Sequence, residues 1–233
     1  MKIINLLIVC TMLVFSCHIS SAFEVLNGEI IEITGPDDLE LDPSNTVLAV
    51  DVFGNGDSVI NDVEFFTDRA GLGAQVTGEG IVEKDGVSIT TTATNTIDNW
   101  ANAQTFTGSD ADSTFNLSEV MRDIRWSAAP NPLTIDIAGL NSGGIYNLKL
   151  LFNEGADRDR GWDITSNGEI IVDNITSEGG DGFWSPENTF VYSGDLTADE
   201  DGNIAIEMRN DIGGEPQISS DGNPILQGIV LSA

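Results

Sequence analysis

Cysteine and histidine are almost missing from this sequence. Cys10, Cys17 and His18 are its only thiol and imidazole residues, and none follows His18. The chain beyond that point therefore offers no disulfide, no zinc site built on cysteine or histidine, and no catalytic triad with histidine as the base. Carboxylate chemistry and oxygen ligands for hard cations remain open to it.

Basic residues are also scarce. The chain has 9 Lys and Arg against 38 Asp and Glu, which gives a formal charge of −29. Such a chain is repelled by nucleic acid phosphates and by anionic lipid surfaces, so we expect no nucleic acid partner. The charge is compatible with cations, neutral sugars and basic partners, and equally with plain solubility in a salty medium.

The one long apolar run lies at the N-terminus. Lys2 precedes the run Ile3–Phe15, and Ser20 and Ala22 stand at the −3 and −1 positions of a cleavage site. This pattern is typical of a secretory signal peptide over residues 1–22, and the run is shorter than the roughly 20 residues of a membrane span. We expect a secreted protein without a membrane span. The alternative is a lipoprotein signal with lipidation at Cys17.

In the remaining chain, short alternating segments are separated by turn-forming residues, a pattern that is typical of an all-β protein. Short alternating segments predict strands, as in Ile145–Phe152, where Tyr146, Leu148, Leu150 and Phe152 would share one face. Turn-forming pairs separate these segments: Asn55-Gly56, Asp85-Gly86, Asn167-Gly168, Asp181-Gly182, Asp201-Gly202 and Asp221-Gly222. We expect an antiparallel β-sandwich over residues 46–233, preceded by an N-terminal segment and acidic linker over residues 23–45.

One short helix is predicted near residues 117–125. Leu117, Val120, Met121 and Ile124 follow the i, i+3, i+4, i+7 spacing of an apolar helix face, and Ser118 suits the N-cap.

The C-terminal half resembles malectin and malectin-like carbohydrate-binding domains. Those domains carry a strand that ends in Phe-x-Glu, then Arg-x-Phe-Asp-Val, then Asn-Gly. The matching segments here are Phe152-Asn153-Glu154, Arg160–Ile164 and Asn167-Gly168, with closing strands over Asp201–Ile206 and Asn223–Ile229. The resemblance is best over residues 139–231 and implies a galactose-binding-like jelly roll, with carbohydrate binding as the associated role.

Aromatic residues in polar loops are the candidate ligand contacts. Phe183 and Trp184 lie in a glycine-rich stretch, and Trp100 lies in the loop Asp98–Asn102. A sugar ring stacks its apolar C–H face on such side chains while its hydroxyls bond to polar neighbours. Glu154 and Arg160 are expected either to form an ion pair that fixes the intervening loop or to face the ligand.

Metal ligands are harder to assign, because acidic residues are abundant. A structural Ca²⁺ is compatible with the composition, and Asp57, Asp221 and Asn223 are the candidate ligands. The segment Asp199–Asn203 resembles a calcium loop, but Met208 would occupy the twelfth position of an EF-hand, so a hairpin turn is the better interpretation.

The sequence therefore predicts a secreted, non-catalytic β-sandwich that binds carbohydrate, a glycoprotein or a matrix glycan. The alternative is an acidic extracellular structural or matrix protein that binds calcium or mineral. A glycosidase that uses a pair of carboxylates is the third hypothesis, although no motif singles out an acid and a nucleophile.

Overall fold

The computed structural model describes residues 24–69, 78–100, 105–154, 160–176, 189–212 and 221–233. The predicted leader over residues 1–22 lies outside these ranges. Across the described ranges, no helix is both long enough and apolar enough to cross a membrane.

Strands dominate the described chain, together with one α-helix and one short 3-10 helix. In chain order the elements are β1 (Glu24–Val25), β2 (Glu29–Ile33), the 3-10 helix (Pro36–Leu39), β3 (Thr46–Asp51), β4 (Ser58–Ile60), β5 (Val63–Thr67), β6 (Gly78–Lys84), β7 (Val87–Ala93), β8 (Asn95–Ile97), α1 (Ala111–Val120), β9 (Ile124–Trp126), β10 (Leu133–Ala138), β11 (Ile145–Asn153), β12 (Gly161–Ser166), β13 (Glu169–Thr176), β14 (Thr189–Thr197), β15 (Ile204–Arg209), β16 (Ile225–Leu226) and β17 (Gly228–Ser232).

These strands form two seven-stranded sheets and a small third sheet. The first sheet has the order β1-β13-β12-β15-β10-β7-β6, and the second has the order β2-β14-β11-β17-β3-β5-β4. The third sheet is β16-β9-β8. Strand pairs are antiparallel except for β3 and β5, which run parallel. The predicted all-β sandwich is confirmed.

The main core lies between the two large sheets. Strand β11 follows the predicted alternation, because Tyr146, Leu148, Leu150 and Phe152 all belong to this core. Leu151 points the other way, into a second apolar cluster on the outer face of the second sheet. The second sheet is therefore buried on both faces.

Helix α1 covers that outer face. Leu117, Val120 and Met121 pack with Ala49 of β3 and Val230 of β17 in the second cluster. Burial of apolar side chains stabilises a fold by about 25 cal/mol per Å² removed from water, so this second cluster holds α1 on the sheet. It also places the C-terminal end of α1 beside the ends of strands β3 and β11.

The helix begins earlier than the sequence pattern indicated. Its N-cap is Asp110, whose side chain accepts a hydrogen bond from the Ser113 backbone N–H. Ser118 lies inside the last turns, and Ile124 belongs to β9. The apolar spacing ran across the helix end into the next strand, whereas the capping carboxylate of Asp110 defines the true start.

The N-terminal segment is part of both large sheets. Strand β1 pairs with β13, and β2 pairs with β14, so each becomes an edge strand. Leu39 of the 3-10 helix is buried in the second cluster. Residues 24–41 are thus integrated into the sandwich, where the sequence suggested a segment and linker before it.

A buried ion pair joins the end of β5 to β9. Arg125 Nε lies 2.7 Å from Asp68 Oδ2, and both side chains are fully buried. Asp68 also accepts hydrogen bonds from the Phe53 backbone N–H at 2.7 Å and from Thr91 Oγ1 at 2.5 Å. Gly80 of β6 lies against this pair, and a Cβ there would fall 2.4 Å from both Arg125 Nη2 and Asp68 Oδ2.

We predict that Gly80→Ala destabilises the fold by about 1–3 kcal/mol, because the added methyl would displace a buried, hydrogen-bonded ion pair. Chemical denaturation measures the change in the free energy of unfolding. Gly56→Ala is the matched control, since no atom lies within 4 Å of its added Cβ. Equal effects of the two substitutions would contradict the tight packing at Gly80.

Candidate functional site

Long connections leave the sandwich from one end. Strand β11 ends and β14 begins at the paired residues Asn153 and Thr189, and β12 begins beside the end of β13. The opposite end closes with short turns, such as those at Asp85-Gly86 and Asn167-Gly168. We call the first of these the loop end. In β-sandwiches the loops at one end commonly carry the binding residues.

Arg160 organises the loop end. Its Nε lies 2.5 Å from Glu154 Oε2, and its Nη1 donates to the Asn223 carbonyl oxygen at 3.0 Å. Asp221 Oδ2 lies 3.5 Å from the same Nη1. Arg160 and Glu154 are both buried. The guanidinium group is therefore held by charge-assisted contacts that leave it little freedom to move.

A small cavity of about 100 Å³ opens beside this guanidinium group. Its lining residues come from the third sheet and the neighbouring loops: Ile97, Trp100, Ile124, Trp126, Arg160 and Asn223. The Arg160 guanidinium lies 5.6 Å from the centroid of the Trp100 ring. The cavity thus combines two indole side chains with one fixed cation.

The position of Trp100 is set by its neighbours in the loop. Asp98 forms an ion pair with Arg69, and the Asn99 backbone N–H donates to Asp123 Oδ1 at 2.6 Å. Burial raises the pKa of Asp123, although the Asn99 N–H acts in the opposite direction. These contacts hold the two residues that precede Trp100, whose ring lines the cavity.

Strand β9 separates two different environments. Ile124 and Trp126 face the cavity, whereas Arg125 points to the other side and meets Asp68. The Trp126 Nε1–H group is buried and has no hydrogen-bond partner. A buried indole N–H without a partner is costly, so this group is a donor available to a bound hydroxyl or water.

The structure brings together most of the residues that the sequence nominated. Trp100, Glu154 and Arg160 meet at the loop end, and the proposed metal ligands Asp221 and Asn223 contact Arg160 there. Asp57 belongs to a different place, the β3–β4 connection, where its Oδ1 accepts the Thr67 backbone N–H at 3.0 Å.

The three nominated metal ligands therefore do not form one site. Asp221 faces an arginine, and Asn223 Oδ1 accepts the Ala129 backbone N–H at 2.7 Å. Over the described ranges, no group of three or more acidic, cysteine or histidine side chains is arranged to hold a metal ion.

Phe183 and Trp184 lie outside the described residues, between the end of β13 and the start of β14. Both of those strand termini are at the loop end. The role of Phe183 and Trp184 in ligand contact remains a prediction from the sequence.

Two site features escaped the sequence reading. Trp126, which was not among the candidate ligand contacts, is half-buried against the main core and lines the cavity. The ion pair of Asp68 with Arg125 was not foreseen. An arginine between Ile124 and Trp126 was the available signal, because a lone cation in an apolar strand needs a buried partner.

Comparison with known proteins identifies the architecture. No protein-family model matches the chain, and no curated protein sequence matches it. Among solved structures, the plant receptor-like kinase ANX2 superposes with a TM-score of 0.55 at 12% identity, covering 80% of this chain and 47% of that one. The plant receptor-like kinase FER gives a TM-score of 0.52 at 13% identity, covering 82% of this chain and 51% of that one.

This chain has the malectin-like, galactose-binding-like sandwich fold. It spans about half the length of the two receptor chains. A calcium-binding mutant of Bacteroides uniformis beta-glucuronidase 2 also superposes, with a TM-score of 0.50 at 16% identity, over 79% of this chain and 17% of that one. At these identities the likeness establishes the fold, and the resemblance noted in the C-terminal half is confirmed at that level.

We predict that Arg160→Met destabilises the protein by about 3–5 kcal/mol, because it removes the guanidinium group from a buried ion pair with the Glu154 carboxylate. Arg209→Met is the control, since Arg209 forms an ion pair with Glu207 in which both side chains are more than a third exposed. Its loss should cost less than about 1 kcal/mol. Denaturant titration of both variants checks this. A small, equal effect would mean that Arg160 does not hold the loop end.

Proposed function

We propose that this protein is a non-catalytic carbohydrate-binding module that acts outside the cell and binds a neutral glycan at the loop end. The observation that carries the proposal is the cavity between Trp100 and Trp126, closed on one side by the fixed guanidinium group of Arg160. The malectin-like fold and the predicted secretory leader agree with this role.

The chemistry of the cavity suits a saccharide. Indole faces accept the apolar C–H surface of a pyranose ring, and nearby polar groups bond to its hydroxyls. Trp126 lines the cavity, and its buried Nε1–H has no hydrogen-bond partner. The cavity volume is about 100 Å³, well below the roughly 300 Å³ of an ordinary ligand pocket. The glycan is therefore expected to insert one edge or substituent while the rest of the ring lies across the loop end.

Charge favours a neutral sugar. Of the described residues that line the cavity, Arg160 is the one cation, and two carboxylates, Glu154 and Asp221, already face it. Among these residues a sugar acid would meet no positive charge that is not already paired, and the whole chain carries a formal charge of −29. Neutral hydroxyls avoid both penalties and can still exchange hydrogen bonds with Asn223.

Binding without turnover is the simpler role for these residues. Glycoside hydrolysis needs one carboxyl group that protonates the leaving oxygen and a second that acts as base or nucleophile. Among the described residues, the carboxylates of Glu154 and Asp221 lie next to this cavity, but both face the Arg160 guanidinium group and neither lines the cavity. We accordingly expect no release of a chromogenic aglycone from neutral aryl glycosides.

We predict that Trp100→Ala weakens binding of neutral oligosaccharides about tenfold or more, because it removes one stacking face of the cavity. Isothermal titration against a panel of neutral oligosaccharides measures the affinity. Phe115→Ala is the control, since Phe115 is an aromatic residue on α1 that is 63% exposed. It should leave the affinity unchanged.

Two outcomes would overturn the proposal. One is the absence of binding across the whole neutral panel by a protein whose thermal unfolding is cooperative. The other is an equal loss of affinity in Trp100→Ala and Phe115→Ala. Trp184→Ala provides a further arm, and a loss of affinity comparable to that of Trp100→Ala would place Trp184 in the same binding surface.

A further inference from the structure

The third sheet presents an apolar surface to the small cavity at the loop end. Ile97 of β8 and Ile124 of β9 are register partners in this sheet. Trp126 lies two positions further along β9 and shares the face of Ile124, because successive side chains of a strand alternate between its two faces. All three side chains line the cavity. We call them the apolar wall, and any group that enters the cavity packs against it.

The polar side chains that line the cavity carry mostly hydrogen-bond donors. Of the described lining residues, those with polar side-chain atoms are Trp100, Trp126, Arg160 and Asn223. Arginine and tryptophan side chains have N–H donors and no acceptor. Asn223 therefore supplies the only side-chain acceptor among these residues.

The acceptor of Asn223 is already engaged. Its Oδ1 accepts the Ala129 backbone N–H at 2.7 Å. Exchanging the oxygen and nitrogen of this amide would set two N–H groups against each other, so the orientation of the amide is fixed. Within the described ranges, no residue accepts a hydrogen bond from Asn223 Nδ2. The amide group thus offers a ligand its donor.

A sugar hydroxyl is a poor match for the inside of this cavity. A hydroxyl group carries a proton as well as lone pairs, and a buried O–H without an acceptor loses the hydrogen bond that water gave it. A carboxylate carries no such proton, but Glu154 and Asp221 already face the Arg160 guanidinium group. A neutral carbonyl oxygen avoids both penalties, because it only accepts hydrogen bonds and carries no net charge.

The size of the cavity suits a small acyl group. Its volume of about 100 Å³ corresponds to roughly three water molecules at about 30 Å³ each. An acetamido substituent, with its methyl carbon, carbonyl group and nitrogen, needs about that space. Its methyl group would be buried against the apolar wall, which is favourable, and its oxygen would meet the donors.

We infer that the cavity binds the acetyl group of a neutral glycan, carried by an N-acetylhexosamine or by an O-acetylated hexose. The methyl group packs on the apolar wall, and the carbonyl oxygen accepts a hydrogen bond from Asn223 Nδ2. This inference rests on the proposed function and names the substituent that the same site selects. Asn223 then determines specificity, while Trp100 contacts the sugar ring.

Two other occupants fit the cavity less well. An ordered water needs about two to four polar partners, and the isoleucine side chains of the apolar wall supply none. The methyl group of a 6-deoxyhexose would suit the apolar wall but would leave Asn223 Nδ2 without an acceptor. The experiment must therefore separate a methyl group that carries a carbonyl from a methyl group alone.

The test compares matched pairs of neutral glycans by isothermal titration of the full chain. The first arm sets N-acetylglucosamine and N-acetylgalactosamine glycosides against the corresponding glucosides and galactosides. The second sets O-acetylated glucomannan oligomers against the same oligomers after alkaline removal of the esters. The third sets an L-fucoside against the L-galactoside, which differ by a methyl and a hydroxymethyl group. We expect the acetylated member to bind about tenfold more tightly in the first arm, the second or both, a difference of about 1.4 kcal/mol.

Asn223→Asp tests the donor directly. The aspartate keeps the oxygen that accepts the Ala129 N–H and replaces the amide nitrogen with a second acceptor. The affinity ratio within the acetylated pairs should fall close to one. Asn203→Asp is the matched control, because Asn203 is also half-buried and lies in the β14–β15 connection, at the opposite end of the sandwich. It makes the same change of charge and should keep the tenfold ratio.

Equal affinity within all the acetylated pairs would overturn the inference. So would a preference confined to the fucoside pair, or an acetyl preference that Asn223→Asp retains in full. Binding without an acetyl preference leaves the proposed function standing, whereas no binding of any glycan overturns the proposed function and this inference together. Should Asn223→Asp not fold, the affinity ratios of the unchanged protein decide the inference alone.

Discussion

The second sheet is covered on both faces, and that constraint shapes the rest of the molecule. The main core lies on one side of it, and α1 with the 3-10 helix covers the other. Polar side chains at the loop-end termini of its strands, such as those of Asp51, Asn153 and Thr189, are consequently buried. A buried charge is tolerated only with a partner, so each of these groups must be met by an arginine, an N–H group or a bound ion.

Basic residues are few in this chain, and arginines are placed at the buried acidic groups of the loop end. The chain has only 9 Lys and Arg among 233 residues, yet Arg125 and Arg160 are nearly or wholly buried at the loop end, and Arg69 lies close by. Arg125 secures the junction of β5 with β9, and Arg160 secures the junction of the β11–β12 connection with the segment before β16. Buried pairs of this kind contribute little net stability, but breaking one leaves a charge exposed to a low dielectric. They therefore act mainly to fix geometry, which is what a preformed binding surface requires.

The proposed glycan cavity depends on the segment that follows α1. Asp123 accepts the Asn99 backbone N–H beside Trp100. Two residues earlier, the Met121 carbonyl oxygen accepts a hydrogen bond from Asn153 Nδ2 at the end of β11. The C-terminal end of α1 thus links the second sheet to the loop that carries Trp100.

The strands, the fold class and the chemistry that the chain lacks can all be inferred from the order of residue types along the chain. Alternation in β11 and the turn pairs at Asp85 and Asn167 are local signals, because a strand exposes its two faces in turn and a tight turn needs residues that tolerate positive φ. Trp100, Arg160 and Glu154 could be nominated from residue type and motif. The start of α1 was misplaced, since the apolar spacing that suggested it continued past the helix into β9.

Which of the candidate residues meet depends on how the strands are ordered and packed in three dimensions. The partnership of Asp68 with Arg125 spans 57 positions in sequence, and that of Arg160 with Asn223 spans 63. No short sequence pattern predicts a contact between residues so far apart along the chain, because such contacts follow from the order of the strands in the sheets. The same holds for the buried side-chain oxygens of Asp51, Asn153 and Gln227, which have no hydrogen-bond partner, because a missing hydrogen bond can be recognised only once the partners of all neighbouring groups are known.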